Sequence, residues 1–266
     1  MIKPGQGILK YLKEQGRSID LPLDALRQFQ EFEKVLNAAL KSYEGKDPAI
    51  TYAMQSYTKV EMIAIALMTS GEFPAVLRAH DELMRLFKKD GAFKDGITLM
   101  SWLLFNFPAT RDGTPLAREV LRRTPALTDD IGPFVEEALR SRFGLYEVLK
   151  EGRNECHLKE LITGKLITLN QSLGSMGRGA VALCRIITIG GNNWIFGDAP
   201  GFPASRKSTI AGMVKDKMSL YFWDANEVKS YETMMRLAGP YWFSIMASDY
   251  QGGILNADRY LRYYGR

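Results

Sequence analysis

The sequence predicts an α+β protein: a helical N-terminal region, a small antiparallel β-barrel-like module in the middle, and a helical C-terminal segment. Between Leu145 and Phe196 the apolar residues fall in short runs divided by Gly and Asn, which is typical of strands in a small barrel or a tightly curled sheet. On both sides of this stretch the apolar residues recur at helical spacing. The chain has 266 residues, of which 46% are hydrophobic, so it can bury a sizeable core.

Residues 1–142 form the predicted helical region. Its helices are expected to begin at prolines, because the fixed φ of proline suits the first turn of a helix. Residues 97–107 are apolar at nearly every position, which indicates a helix that is buried on most sides. The prolines that mark predicted helix starts are Pro22, Pro48, Pro74, Pro115 and Pro133.

Residues 143–203 form the predicted β-module, and residues 204–266 form the helical C-terminal segment, which is expected to pack on the rest. Inside the module, the Gly-Gly-Asn-Asn sequence at 190–193 predicts a hairpin turn, and the Gly-rich stretch 173–179 predicts a loop between two strands. The tail from Tyr241 onward is rich in aromatic residues. We expect it either to pack back on the helices or to form a contact surface for a partner.

The sequence predicts a cytoplasmic protein with no membrane-spanning segment. Residues 1–7 lack the apolar core of a signal peptide, and the most apolar stretch, 97–107, is too short to span a bilayer. The chain has 2 cysteines, Cys156 and Cys184, which are too few for a disulfide framework. We expect both to be reduced thiols packed among apolar side chains, although they could also lie on neighbouring strands.

Five short segments form an ordered series that resembles a known family. They are residues 95–106, 113–116, 143–148, 158–164 and 184–187. The series is similar to the body of uncharacterised bacterial proteins that often carry a SEC-C zinc motif at one end, and the resemblance covers roughly residues 90–205. The resemblance implies no established activity. The SEC-C module contributes to partner binding in a bacterial translocase, but this chain has no Cys-x-Cys cluster, so we expect no zinc module here.

No stretch of the sequence matches a known catalytic or metal-binding pattern, so no catalytic residue, metal ligand or cofactor is predicted. The Gly-rich loop 173–179 is followed by a strand-like run rather than a helix, which is unlike the nucleotide-binding fingerprints. Cys156 and His157 are adjacent, so on a strand they point to opposite faces. Together with His80 and Cys184 they lack the close spacing of a zinc site.

Four residues at the end of the β-module and its exit are candidates for binding: Arg178, Trp194, Phe202 and Arg206. If the two aromatic rings are partly exposed, they could form a platform that stacks a base or holds a peptide, with the two arginines nearby. The alternative is that both rings close the core of the barrel, which agrees with the usual burial of Trp.

The sequence favours a non-enzymatic binding or adaptor protein with a protein partner, because small barrels commonly bind peptides or nucleic acids. Two alternatives stay open. The net charge of +5 allows weak nucleic-acid binding, although no segment carries a concentrated basic run. An enzyme of unrecognised type, with carboxylate chemistry between the helices and the barrel, is the second alternative. The partner and the oligomeric state are not encoded in any pattern that we find.

Overall fold

The computed structural model describes residues 47–69, 71–90, 96–174, 176–197, 199–221 and 231–237, and the single positions 229, 239 and 242. The helix predicted from Pro22 and, apart from Trp242, the aromatic tail lie outside these residues. Within them, helices come first, an antiparallel sheet follows, and helix returns at the end. The predicted α+β class and the order of its parts are therefore confirmed.

Helices occupy most of the described residues before the sheet and return after it. α1 begins where Asp47 caps it, since the carboxylate of Asp47 accepts the backbone N–H of Ala49 at 2.7 Å. The six helices with defined bounds are α1 (Pro48–Thr69), α2 (Pro74–Asp90), α3 (Gly96–Phe105), α4 (Leu116–Arg123), α5 (Thr128–Arg140) and α6 (Lys207–Tyr221). Residues 231–237 are also helical.

The start of α5 differs from the sequence-based expectation. Pro133 was expected to open the helix, but the helix begins at Thr128 and Pro133 lies inside it. As the sixth residue of the helix, Pro133 has no backbone N–H to donate to the carbonyl four residues earlier, so α5 lacks one hydrogen bond near its N-terminal end. The preceding turn is stabilised by Asp129 and Asp130, whose negative charges suit a helix start, and by an ion pair of 2.6 Å from Lys59 to Asp130.

The sheet curls until its two edge strands meet. Its hydrogen-bonded order is β3-β2-β1-β4-β5, with β6 paired to β4 as well, and all pairs are antiparallel. Between the edge strands, the backbone N–H of Asn170 donates to the carbonyl of Asn193, and the Asn193 side chain donates to the carbonyl of Thr168, both at 3.0 Å. The strands are β1 (Phe143–Glu151), β2 (Cys156–Glu160), β3 (Leu166–Leu169), β4 (Val181–Ile189), β5 (Asn192–Ile195) and β6 (Gly201–Phe202).

The predicted hairpin turn joins β4 to β5. Ile189 pairs with Asn192, which leaves Gly190 and Gly191 as the two turn residues. Their φ angles of +59° and +79° place both in the left-handed region that a type I′ turn needs and that glycine adopts without steric cost. The local sequence alone therefore determines this connection.

The concave side of the sheet holds an apolar core. Side chains alternate along each strand, so every second residue points inward. The buried inward residues are Tyr146, Val148, Cys156, Leu158, Leu169 and Cys184. They exclude water from the inside of the curled sheet, which explains the alternation of apolar and polar residues along β2.

The convex side of the sheet is covered over β1 and β4 but open over β2 and β3. Phe143 and Leu145 of β1 point to the convex side and are nevertheless buried. The chain near residue 239 packs there, because a Cβ added to Gly239 would lie 2.6 Å from the Phe143 ring. In contrast, Lys159 and Leu166, which lie opposite each other on β2 and β3, are exposed. One part of the convex side therefore faces solvent.

By contact density the chain divides into two compact units. The first holds the described residues up to Asp81 together with Leu103–Arg140, and the second holds Glu82–Trp102 together with the described residues from Ser141 onward. The first unit is a helical bundle, in which the rings of Phe105 and Phe134 meet edge to face at 5.8 Å. The second contains the whole sheet. The boundaries 1–142, 143–203 and 204–266 stay a prediction.

Among the helices that the structure describes, none is by itself long and apolar enough to cross a membrane. α1 and the part of α2 up to Arg85 reach that length and composition only as a pair, with a bend of 107° between them.

Candidate binding surface

A buried ion pair joins the start of β1 to the end of β2. The guanidinium of Arg142 donates to both carboxylate oxygens of Glu160, at 2.6 and 3.2 Å, and Thr163 donates to the same carboxylate. The Glu160 side chain is 2% exposed and that of Arg142 is 11% exposed. Arg142 also reaches Glu232 at 3.1 Å, which links the sheet to the helical residues 231–237.

Burial and the charges of this pair shift the pKa values of the groups around it. Burial lowers the pKa of Arg142, but the hydrogen bonds and the negative charge of Glu160 outweigh that effect, so the net shift is upward. Burial, followed by the charge of Glu160, raises the pKa of both Tyr146 and Tyr231. The Tyr231 hydroxyl also accepts the backbone N–H of Leu145 at 2.9 Å. Both tyrosines are neutral at physiological pH, and the Tyr231 hydroxyl serves as a structural hydrogen-bond acceptor.

A second arginine, Arg185 of β4, is completely buried. It donates to the hydroxyl of Ser141 at 3.1 Å, and its guanidinium lies over the ring of Phe143, 5.2 Å from the centroid. Arg185 and the Arg142–Glu160 pair are therefore turned toward the protein interior. Their geometry stabilises the sheet and the elements packed on it, and it does not present them to a ligand.

The solvent-facing part of the convex side presents a different set of groups. Lys150 lies opposite His157 across β1 and β2, and Lys159 lies opposite Leu166 across β2 and β3. Leu166 is 69% exposed, the highest value among the exposed large apolar residues that the structure describes. We name this surface the basic face and define it by Lys150, His157, Lys159 and Leu166 on the strands, together with the exposed Arg153 and Lys165 in the adjoining turns.

The charge of the module's surface is predominantly positive. Three carboxylates are engaged: Glu160 binds Arg142, Glu147 binds Lys207 at 2.7 Å, and Glu151 accepts a hydrogen bond from Ser172. Among the described residues of 143–203, 5 exposed side chains are basic and 1 is acidic. They are Lys150, Arg153, Lys159, Lys165 and Arg178, against Glu155. The exposed acidic residue lies 3.3 Å from His157.

The structure brings three of the four predicted binding residues together. Phe202 pairs with Val181 at the start of β4. The turn that carries Arg178 passes close to the segment that carries Arg206, because a Cβ added to Gly179 would lie 3.1 Å from the Cβ of Ala204. Arg178 is exposed and Arg206 is half-buried. The Phe202 ring is 7% exposed, so it packs into the protein instead of offering a stacking surface.

Trp194, the fourth predicted residue, lies elsewhere. It pairs with Ile187, whereas Phe202 pairs with Val181, six residues earlier on β4. At the usual rise of a strand, these two positions are about 20 Å apart. The ring is half-buried, and among the described residues its indole Nε1 has no hydrogen-bond partner. The four residues therefore do not form one continuous platform, and their role in binding stays a prediction.

The two cysteines are free and buried. Burial raises the pKa of Cys156 to about 11, and it also raises the pKa of Cys184. Cys156 points into the core, whereas His157 points outward between Glu155 and Thr168, so the adjacent pair does not address one substrate. In the described ranges, no three His, Cys, Asp or Glu side chains come together as metal ligands would.

Comparison of the chain with models of protein families, with curated proteins and with solved structures finds no match in any of the three.

Sequence reasoning missed the basic face. The relevant signal is the alternation along β2, where Cys156, Leu158 and Glu160 are buried and the two residues between them are not. That pattern places His157 and Lys159 on one convex side. The approach of β1 and β3 on either side of them follows only from the strand order.

Proposed function

We propose that this chain is a non-enzymatic binding protein that acts as an adaptor for a protein partner, with the small β-module as its recognition element. The observation that carries the proposal is the open basic face, on which an exposed leucine lies among exposed lysines that form no ion pair with another described residue. Protein contact surfaces commonly combine an apolar contact at the centre with a polar rim. The other half of the convex side is packed, with Gly239 against Phe143 and the Tyr231 hydroxyl bonded to the backbone of Leu145.

We also place this protein in the cytoplasm. Its two thiols are buried and unpaired, which agrees with a reducing compartment, where structural disulfides are rare. The resemblance to proteins associated with the SEC-C motif belongs to the same proposal, since partner binding is the role that the motif contributes elsewhere.

Nucleic-acid binding is the second candidate, and one observation favours it. The exposed charges of the module are 5 basic to 1 acidic among the residues described, although the net charge of the whole chain is only +5. A local excess of positive charge is what phosphate backbones bind. The Arg142–Glu160 pair does not favour an enzyme, because its groups already satisfy one another.

The test uses the full chain as bait in a lysate of its source organism, with and without nuclease treatment. We expect a protein that remains bound in moderate salt, survives nuclease and is lost with the Leu166→Glu variant. Leu77→Glu is the matched control, because Leu77 is also an exposed leucine, at 39% exposure on α2. Loss of the partner on nuclease treatment would favour nucleic-acid binding, and the absence of any partner lost with Leu166→Glu would contradict the adaptor function.

A further inference from the structure

The basic face has a geometry that suits an extended acidic chain. His157 and Lys159 project from the same side of β2 about 6.6 Å apart, since alternate residues of a strand share a side. Lys150 flanks the first of these positions on β1, and Leu166 flanks the second on β3. An extended polypeptide presents its own alternate side chains at nearly the same spacing, so successive carboxylates on one side of it could contact successive polar side chains here.

The cations of this face are available to a partner. Lys150, Lys159 and Lys165 are exposed, and none forms an ion pair with another residue that the structure describes. The neighbouring carboxylate of Glu147, which lies opposite Lys159, is already bound to Lys207. Positive charge on this surface is therefore not neutralised from within the sheet, and it complements a negatively charged partner.

The apolar and aromatic content of the face distinguishes between two kinds of anionic partner. Sequence-tolerant single-strand binding relies on aromatic side chains that stack bases. Of the described residues on the basic face none is Phe, Tyr or Trp, while Leu166 offers an apolar contact that a polypeptide side chain can cover. Glu155 beside His157 also repels a continuous row of phosphates, whereas a polypeptide can place a neutral residue there.

We propose that the basic face docks an acidic, extended segment of a partner polypeptide, with an apolar side chain of that segment covering Leu166. This inference rests on the proposed binding function and adds the chemistry of the partner. The carboxylates of the segment contact Lys150, Lys159 and Lys165, and the apolar contact sets the register of the segment on the sheet.

The test measures the binding of the full chain to fluorescent probes by anisotropy. The main probe is a short Glu-rich peptide with one central Leu. Two comparison peptides carry Ser in place of that Leu or Lys in place of Glu, and a third comparison probe is oligodeoxythymidine. Reversing two charges with Lys159→Glu and Lys165→Glu should weaken binding of the main probe about tenfold or more, because each exposed ion pair contributes roughly 2- to 5-fold. Arg111→Glu, an exposed cation in a turn of the helical unit, should bind like the wild type.

A double-mutant cycle tests the apolar contact. Leu166→Ala should weaken binding of the Leu probe roughly 3- to 10-fold and leave the Ser probe unchanged, because only the first pair loses buried apolar area. Equal effects on both probes would overturn the role of Leu166. Tighter binding of oligodeoxythymidine than of the acidic peptide, or an equal loss with Arg111→Glu, would overturn the acidic partner.

The lysate experiment separates this inference from the proposed function. If wild-type bait retains a protein and the Lys159→Glu, Lys165→Glu double variant retains it equally, the chain is a binding protein that does not use these cations. The inference then fails and the function stands. If no protein is retained and no probe binds, both fail.

Discussion

Replacing Glu160 by Gln removes one charge from a buried pair while it keeps the size of the side chain. Arg142 then loses its carboxylate partner at 2.6 and 3.2 Å, and the one described carboxylate that it keeps is Glu232, whose side chain is 52% exposed. Its hydrogen bond to the Phe143 carbonyl also remains. Two unit charges about 4 Å apart attract by about 4 kcal/mol at an effective dielectric constant near 20. Removing one partner of a buried pair typically costs 3–5 kcal/mol. Since Glu232 offsets part of this loss, we expect Glu160→Gln to lower the free energy of unfolding by about 3 kcal/mol.

The assay is urea unfolding, in which circular dichroism monitors the loss of structure in the sheet-containing unit. Glu147→Gln is the control, because it makes the same substitution on the same sheet, but its partner Lys207 is 42% exposed. We expect that control to cost at most about 1 kcal/mol, since water screens the pair. If Glu160→Gln cost no more than the control, burial would not govern the strength of the Arg142 pair, and the structural role assigned to it would be wrong.

Two further predictions concern packing and titration. Gly144→Ala should destabilise the protein by about 1–3 kcal/mol, because the new Cβ would lie 2.4 Å from the Tyr146 hydroxyl, whereas Gly212→Ala in α6 meets open space and should stabilise it by about 0.5–1 kcal/mol. Equal effects in thermal unfolding would refute this. Burial raises the pKa of Cys156 from 9.0 to about 11, so the folded chain keeps a proton that the unfolded chain releases. Stability from this thiol is therefore complete below pH 9.0 and falls as the pH rises toward about 11. Over that pH range, the urea midpoint of Cys156→Ala should fall less steeply with pH than the midpoint of the wild type. The same pH dependence in both proteins, or rapid reaction of the folded thiol with a disulfide reagent at neutral pH, would contradict this prediction.

The elements that sequence patterns predicted correctly are those governed by local geometry. The Gly190-Gly191 turn needs two positive φ angles, and the start of α1 at Pro48 needs only the fixed φ of proline in a first turn. The start of α5 was wrong because Pro133 is a local signal, and a long-range ion pair to Asp130, 71 residues from Lys59, stabilises the turn before it.

The candidate site depended on contacts that no local pattern contains. Arg142 and Glu160 are 18 residues apart, and Glu232 is 90 residues from Arg142, so their pairing follows from the fold. The binding prediction centred on aromatic residues, whereas the open surface consists of lysines and Leu166. Aromatic content indicates apolar area, but burial of Phe202 depends on what packs over the start of β4.

The sequence by itself determines that an antiparallel sheet lies between helical segments, that a tight glycine hairpin joins two of its strands, and that alternate side chains point inward. These features arise from backbone preferences and from a period of two along each strand, which are properties of neighbouring residues. Tertiary structure alone decides that helical residues cover β1 and β4 and leave β2 and β3 open. It also decides that Glu147, Glu151 and Glu160 are engaged, while Lys150, Lys159 and Lys165 form no ion pair with another described residue. Alternation indicates which residues share a side of the sheet, but only packing between distant segments decides which side meets water.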